Sequence, residues 1–153
     1  MSRRSVALLA VVGVPTLFYL SAPLGERTAY KSRRYAQETA ALKALQSLNT
    51  AQVQYNSQFG GYARSLSALG PSASNLISAD LATGESRGYK FTMTGTPRGY
   101  RIQAVPVAFG STGSRTFYAG QSLILRENYG LQPATANSEE VGSTAAKQTR
   151  SAP

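Results

Sequence analysis

The chain has 153 residues and a formal net charge of +9, with no Cys, His or Trp. This length suits one domain with appendages, and the missing residues exclude the common zinc and copper ligand sets and the Ser-His and Cys-His nucleophilic pairs. Only two of the carboxylates, Glu139 and Glu140, are adjacent, and no phosphate-binding Gly-Lys-Ser/Thr sequence occurs. We therefore predict a protein that is not an enzyme and that has no catalytic residue, metal site or cofactor.

The first segment of the chain is apolar. Residues 6–24 read VALLAVVGVPTLFYLSAPL and follow Arg3 and Arg4. The run is close to the ~20 residues that a membrane-spanning helix needs, so it predicts an anchor segment at residues 1–26. The residues expected to contact lipid are Val6, Leu8, Leu9, Val11, Val12, Leu17, Phe18 and Leu20.

Two interpretations of this segment compete. Small residues at Ser21 and Ala22 after an apolar core are typical of a cleaved signal peptide. Pro23 directly follows the best cleavage site, and the apolar run is long for a signal peptide, so we favour a retained anchor. The positive charges on its two sides slightly favour the opposite of the orientation that an exported domain needs.

A long helix is predicted next, because residues 28–59 contain no Gly or Pro and are rich in strong helix formers. Gly60 and Gly61 then end it. Large or apolar side chains recur at spacings of three and four residues, which indicates one packing face. The series is completed by Gln52, and the predicted packing residues on this face are Ala41, Leu45, Leu48, Tyr55 and Phe59.

The start of this helix is basic. Its positive residues are Arg27, Lys31, Arg33 and Arg34. Directly after an apolar run, such a cluster is typical of contact with anionic lipid, and Tyr30 and Tyr35 suit a membrane interface. A nucleic-acid surface is the alternative. We favour lipid and expect no nucleic-acid partner.

The second half of the chain predicts an antiparallel meander of three to four strands. Alternation begins after Gly88 and resumes after a turn at residues 95–99, and two further short strands are expected at residues 115–119 and 123–127. The expected sheet core is Tyr89, Phe91, Met93, Tyr100 and Ile102. The predicted fold class is therefore α+β, with a long helix, half in the membrane and half amphipathic, packed on this sheet. Residues 27–130 form the helix and head, and residues 131–153 form a polar, flexible tail.

One stretch of the chain resembles a known family. Residues 41–70, ALKALQSLNTAQVQYNSQFGGYARSLSALG, are similar to the helix and following loop of bacterial type IV pilin-like proteins. Those proteins often carry Leu-x-x-Leu/Ile-Asn-Thr-Ala-Gln, then an aromatic residue and Gly-Tyr. The matching residues are Leu45, Leu48, Asn49, Thr50, Ala51, Gln52, Tyr55, Gly61 and Tyr62. The runs GYKFTMTG, YRIQAVPVAFGSTGSRTFYAGQSLILRENYG and PATANS resemble the family's sheet and closing segment, so the resemblance covers residues 36–138.

The resemblance implies a pilin-like fold and a structural role. The chain would be a subunit of a type IV pilus (fimbrium) or a type II secretion pseudopilus that assembles with itself or with other pilin-like subunits. It would sit in the inner membrane as a single-pass protein, N-terminus inside and head in the periplasm, or in a cell-surface filament.

The N-terminus differs from the family's pattern. Family members have a Gly cleavage site and a Glu early in the apolar helix, whereas no Glu or Asp lies between Met1 and Gly25 here. No processing or polymerisation residue is therefore assigned. The alternative function is a membrane-tethered pilin-like head that does not polymerise and acts as a binding or scaffold module in the periplasm.

Overall fold

A computed structural model of the chain describes residues 24–143, with side chains from residue 28 onward. The residues predicted to contact lipid, from Val6 to Leu20, lie outside this part of the chain, as does the end of the predicted tail. Within residues 24–143, no helix is both long enough and apolar enough to cross a membrane.

One long helix leads into a sheet. In chain order, the elements are helices α1 (Leu24–Phe59), α2 (Leu66–Leu69) and α3 (Ala79–Thr83) and strands β1 (Glu85–Ser86), β2 (Tyr89–Thr96), β3 (Gly99–Pro106), β4 (Arg115–Gly120), β5 (Arg126–Tyr129) and β6 (Glu139–Glu140). Each strand pairs antiparallel with the next, so the strands lie side by side in chain order. Helix α1 ends where Gly60, at a φ of 72°, donates its N–H to the Asn56 carbonyl at 2.9 Å.

The predicted fold class is wrong in two respects. The sheet has six strands rather than three to four. The added strands β1 and β6 are only two residues long, so no apolar alternation reveals them, and β6 comes from residues assigned to the tail. The fourth predicted strand also begins later, at Arg126, because Leu123 has a φ of 62° and donates its N–H to the Gly120 carbonyl in a turn.

The second correction concerns the helix. It was expected to join a membrane half to an amphipathic half, but the described helix α1 has no membrane-spanning part. The residues of α1 that do not face the sheet are largely charged or polar, as Lys31, Arg33 and Lys43 illustrate, and all three are exposed.

The core lies between α1 and one face of the sheet, the inner face. On the helix side, Ala41, Leu45 and Leu48 are buried, Tyr55 is half-buried and Phe59 is 60% exposed. Phe59 differs from its predicted packing role because it is the last residue of α1. Its ring rests on Tyr55, with centroids 4.4 Å apart.

On the sheet side, all five predicted core residues, Tyr89, Phe91, Met93, Tyr100 and Ile102, are buried.

The other face of the sheet, the outer face, is partly covered by the segment between β5 and β6. Ala134 in this segment is fully buried. The Gln103 side chain donates to the Ala134 carbonyl at 3.1 Å, and the Thr116 hydroxyl donates to the Gln132 carbonyl at 2.8 Å. The segment thus closes over β3 and β4, which explains how a stretch with few large apolar residues is held in place.

Candidate functional site

Three charged side chains meet where α1 crosses the sheet. Glu38 lies on α1, Arg115 begins β4 and Glu127 lies on β5. Arg115 contacts Glu38 Oε2 through Nε at 2.9 Å and through Nη2 at 2.7 Å. Its Nη1 contacts Glu127 Oε2 at 2.7 Å. We call these three residues the charged cluster.

The other carboxylate oxygens of the charged cluster also have partners. Ser114 donates to Glu38 Oε1 from its backbone N–H at 2.8 Å and from its hydroxyl at 2.9 Å. Glu127 Oε1 accepts a hydrogen bond from the N–H of Gly142 at 3.3 Å. Burial of the two carboxylates is offset by these contacts, as a buried charge requires. The Arg115 guanidinium therefore connects α1 to β4 and β5. Glu127 extends this connection to Gly142, which follows β6.

The pKa shifts in the charged cluster favour a negatively charged Glu38 and a positively charged Arg115. Burial alone raises the pKa of Glu38, but the Ser114 hydrogen bonds and the Arg115 guanidinium together hold that pKa below its ordinary value. Burial alone lowers the pKa of Arg115, whereas Glu38 and Glu127 raise it above its ordinary value. Burial, and then the charge of Glu38, raise the pKa of Tyr89, whose hydroxyl donates to the Arg115 carbonyl at 2.9 Å. These groups are suited to holding elements together rather than to moving protons near neutral pH.

The start of α1 lies against the loop that joins β3 to β4. The Tyr30 hydroxyl and Arg34 Nη1 both donate to the Gly110 carbonyl, Arg34 at 3.4 Å. Val107 and Phe109 in this loop are 54% and 42% exposed. Tyr30 is 45% exposed. Tyr30, Val107 and Phe109 are therefore exposed apolar side chains where the start of α1 meets this loop, and we call them the helix–loop surface.

The first part of α1 has little cover. From residue 28 to residue 37, no side chain is buried, and Tyr35 is 69% exposed. Lys31 and Arg33 are exposed and have no ion-pair partner within the described chain. Tyr30 and Arg34 contact the β3–β4 loop here, and one side-chain atom of Gln37 is buried. The aromatic ring of Tyr35 and the basic side chains of Lys31 and Arg33 remain exposed.

The sequence interpretation missed the charged cluster, although one signal was available. Glu38 precedes Ala41 by three residues and Leu45 by seven, so it lies on the packing face of α1. A carboxylate at such a position needs a buried partner. The partner could not be identified, because Arg115 is one of many basic residues and lies 77 positions away in the chain.

The described residues contain no group of side chains that could hold a metal ion. Within residues 24–143, no group of three or more His, Cys, Asp or Glu side chains lies close enough to hold a metal ion. Glu38 and Glu127 are both occupied by Arg115.

Comparison with known proteins found no matching family model, no matching curated protein and no matching solved structure, so no family membership is assigned to the chain.

Proposed function

We propose that the chain is a structural subunit that works by packing and assembly, of the kind found in type IV pili or type II secretion pseudopili. The supporting observation is the length of α1 relative to the head. Burial on α1 begins at Glu38, while residues 28–37 add roughly 15 Å of helix that carries no buried side chain. We call residues 28–37 the uncovered helix. In the sequence, they follow the apolar run of residues 6–24 after three further residues.

The uncovered helix and the helix–loop surface are the faces on which a neighbouring subunit packs. The neighbour is a second copy of this chain or another subunit of the same class. The apolar run holds the chain in the inner membrane with its head outside the cytoplasm, or enters a filament at the cell surface. The charged cluster supports this role because it fastens α1 to β4 and β5, so force along the helix reaches the sheet.

A second function is a membrane-tethered binding or scaffold module that does not polymerise. Two observations favour it. Lys31 and Arg33 are exposed just after the apolar run, where they suit anionic lipid headgroups. No acidic residue lies between Met1 and Gly25 to pair with Arg3 and Arg4, and unpaired charge resists burial in an apolar filament core.

Site-specific photo-crosslinking in cells separates the two functions. A photoreactive aromatic residue replaces Tyr35, and the matched control replaces Tyr129, an exposed tyrosine on β5. Assembly through α1 predicts a ladder of multimers from position 35, a weaker one from position 129, and recovery of the chain with sheared surface filaments. A chain that stays in the membrane fraction as a monomer, with no multimers from position 35, contradicts assembly and supports the tethered module.

A further inference from the structure

A concave groove lies on the outer face of the sheet, away from α1. Its volume is about 770 Å³. Its lining comes from strands β2 to β5, from the β2–β3 and β4–β5 turns, and from Ala136 in the segment between β5 and β6. Pairing of Thr94 with Arg101, and of Tyr118 with Arg126, brings side chains from four neighbouring strands onto this face. The groove is separate from the charged cluster, which lies on the inner face.

The groove is positively charged. Among the described residues, Arg98, Arg101 and Arg126 line it and no acidic side chain does. Arg98 and Arg101 are exposed, and neither has an ion-pair partner among residues 28–143. Arg126 is partly engaged, because it donates to the Ser138 carbonyl at 2.8 Å and lies 3.8 Å from the exposed carboxylate of Glu140. Two free guanidiniums and a third partly paired one fit an anionic ligand, since guanidinium pairs with carboxylates through two hydrogen bonds.

The rest of the lining is rich in uncharged hydrogen-bonding groups. Thr94, Gln121 and Ser122 supply hydroxyl and amide groups that both donate and accept hydrogen bonds. Tyr118 adds a half-buried aromatic ring. Hydroxyl and amide groups match the hydroxyls of a sugar, and an aromatic ring packs against the apolar face of a sugar ring.

We propose that this groove binds an acidic oligosaccharide whose sugar rings carry carboxylates. The arginines bind the carboxylates, the hydroxyl and amide side chains bind the sugar hydroxyls, and Tyr118 contacts a ring face. A single-stranded nucleic acid fits less well, because such ligands stack successive bases on several aromatic side chains. In the part of the groove formed by residues 94–136, Tyr118 is the one aromatic side chain available, since the Tyr100 side chain points into the core and donates to Asn49 at 3.1 Å.

The test is calorimetric titration of the full-length chain, purified in detergent, with an oligogalacturonate of defined length. The double variant Arg98→Gln, Arg101→Gln is expected to bind at least about tenfold more weakly, since each lost hydrogen bond to a charged group costs about that much. Lys90→Gln and Arg64→Gln are the matched controls. Lys90 lies on the same face beyond the groove, Arg64 follows α1, and both are exposed. Each control variant should bind the oligogalacturonate with an affinity within about twofold of that of the parent chain.

The proposal is overturned if the oligogalacturonate does not bind, if a neutral oligosaccharide of the same length binds equally well, or if an oligothymidine of the same length binds more tightly. Equal weakening by Lys90→Gln also overturns it, because attraction would then come from net charge alone. Thermal unfolding of each variant checks that the fold is intact, which the exposure of the replaced residues leads us to expect.

Discussion

Arg115 and Glu38 are joined by two contacts to a single carboxylate oxygen, from Nε at 2.9 Å and from Nη2 at 2.7 Å. The same guanidinium reaches Glu127 and lies over the rings of Phe117 and Tyr129, with distances of 5.3 and 5.8 Å to the ring centres. Arg115 is therefore the shared partner of two buried carboxylates that would otherwise lie near each other without a counter-charge.

Removing that shared partner should be costly. Arg115→Leu leaves Glu38 and Glu127 buried without a cation, so we expect the free energy of unfolding to fall by about 3–5 kcal/mol. Urea denaturation measures the loss. Arg101→Leu, at an exposed position of the neighbouring strand, is the control and should change stability by less than about 0.5 kcal/mol. A loss below about 1 kcal/mol for Arg115→Leu would mean that the cluster does not hold α1 to the sheet.

The charged cluster should also make the protein sensitive to acid. The pKa of Glu38 is lower in the folded chain than its ordinary value of 4.5, so the stabilisation is present above pH 4.5. It is lost as the pH falls from 4.5 through the lower, folded-state pKa, because the unfolded chain then binds the proton more readily. Urea unfolding measured at a series of pH values checks this. Glu38→Gln should be less stable at neutral pH and should show a shallower decline in acid, and an unchanged acid profile would contradict the assignment.

A buried amide holds the loop after α1. Gln52 is fully buried, its Nε2 donates to the Ala63 carbonyl at 3.0 Å, and its Oε1 accepts from the Ala63 N–H at 2.9 Å. Gln52→Leu leaves both backbone groups of Ala63 without partners, and we expect a loss of about 2–4 kcal/mol. Gln54→Leu, at an exposed position of the same helix, is the control. Slower amide hydrogen exchange at Ala63 in Gln52→Leu than in the parent chain would contradict this role.

The close approach of β2 to the same loop depends on Gly95. A Cβ at residue 95 would overlap the Ala63 carbonyl, which is backbone and cannot move aside by rotating. Gly95→Ala should therefore destabilise the fold by about 1–3 kcal/mol or more. Gly61→Ala is the matched control, because a Cβ there would meet Pro97 at an ordinary 3.6 Å. Thermal unfolding compares the two variants, and equal midpoints would show that the contact is not tight.

Much of the fold follows from local patterns in the sequence. The absence of Gly and Pro from residues 28–59, the spacing of Ala41, Leu45 and Leu48, and the alternation that begins at Tyr89 predict a helix and strands on short-range grounds. These signals depend on residues a few positions apart, whose spacing decides which side chains share a face.

The tertiary structure decided what lies far apart in the chain. The pairing of Glu38 with Arg115, the two-residue strands β1 and β6, and the convergence of Arg98, Arg101 and Arg126 on one groove have no local signature. The pairing of Glu38 with Arg115 depends on where α1 crosses the sheet, whereas the short strands and the groove depend on strand register. Long-range contacts of this kind are set by the packing of the whole domain, because a buried charge or a two-residue strand is stable only where a distant partner meets it.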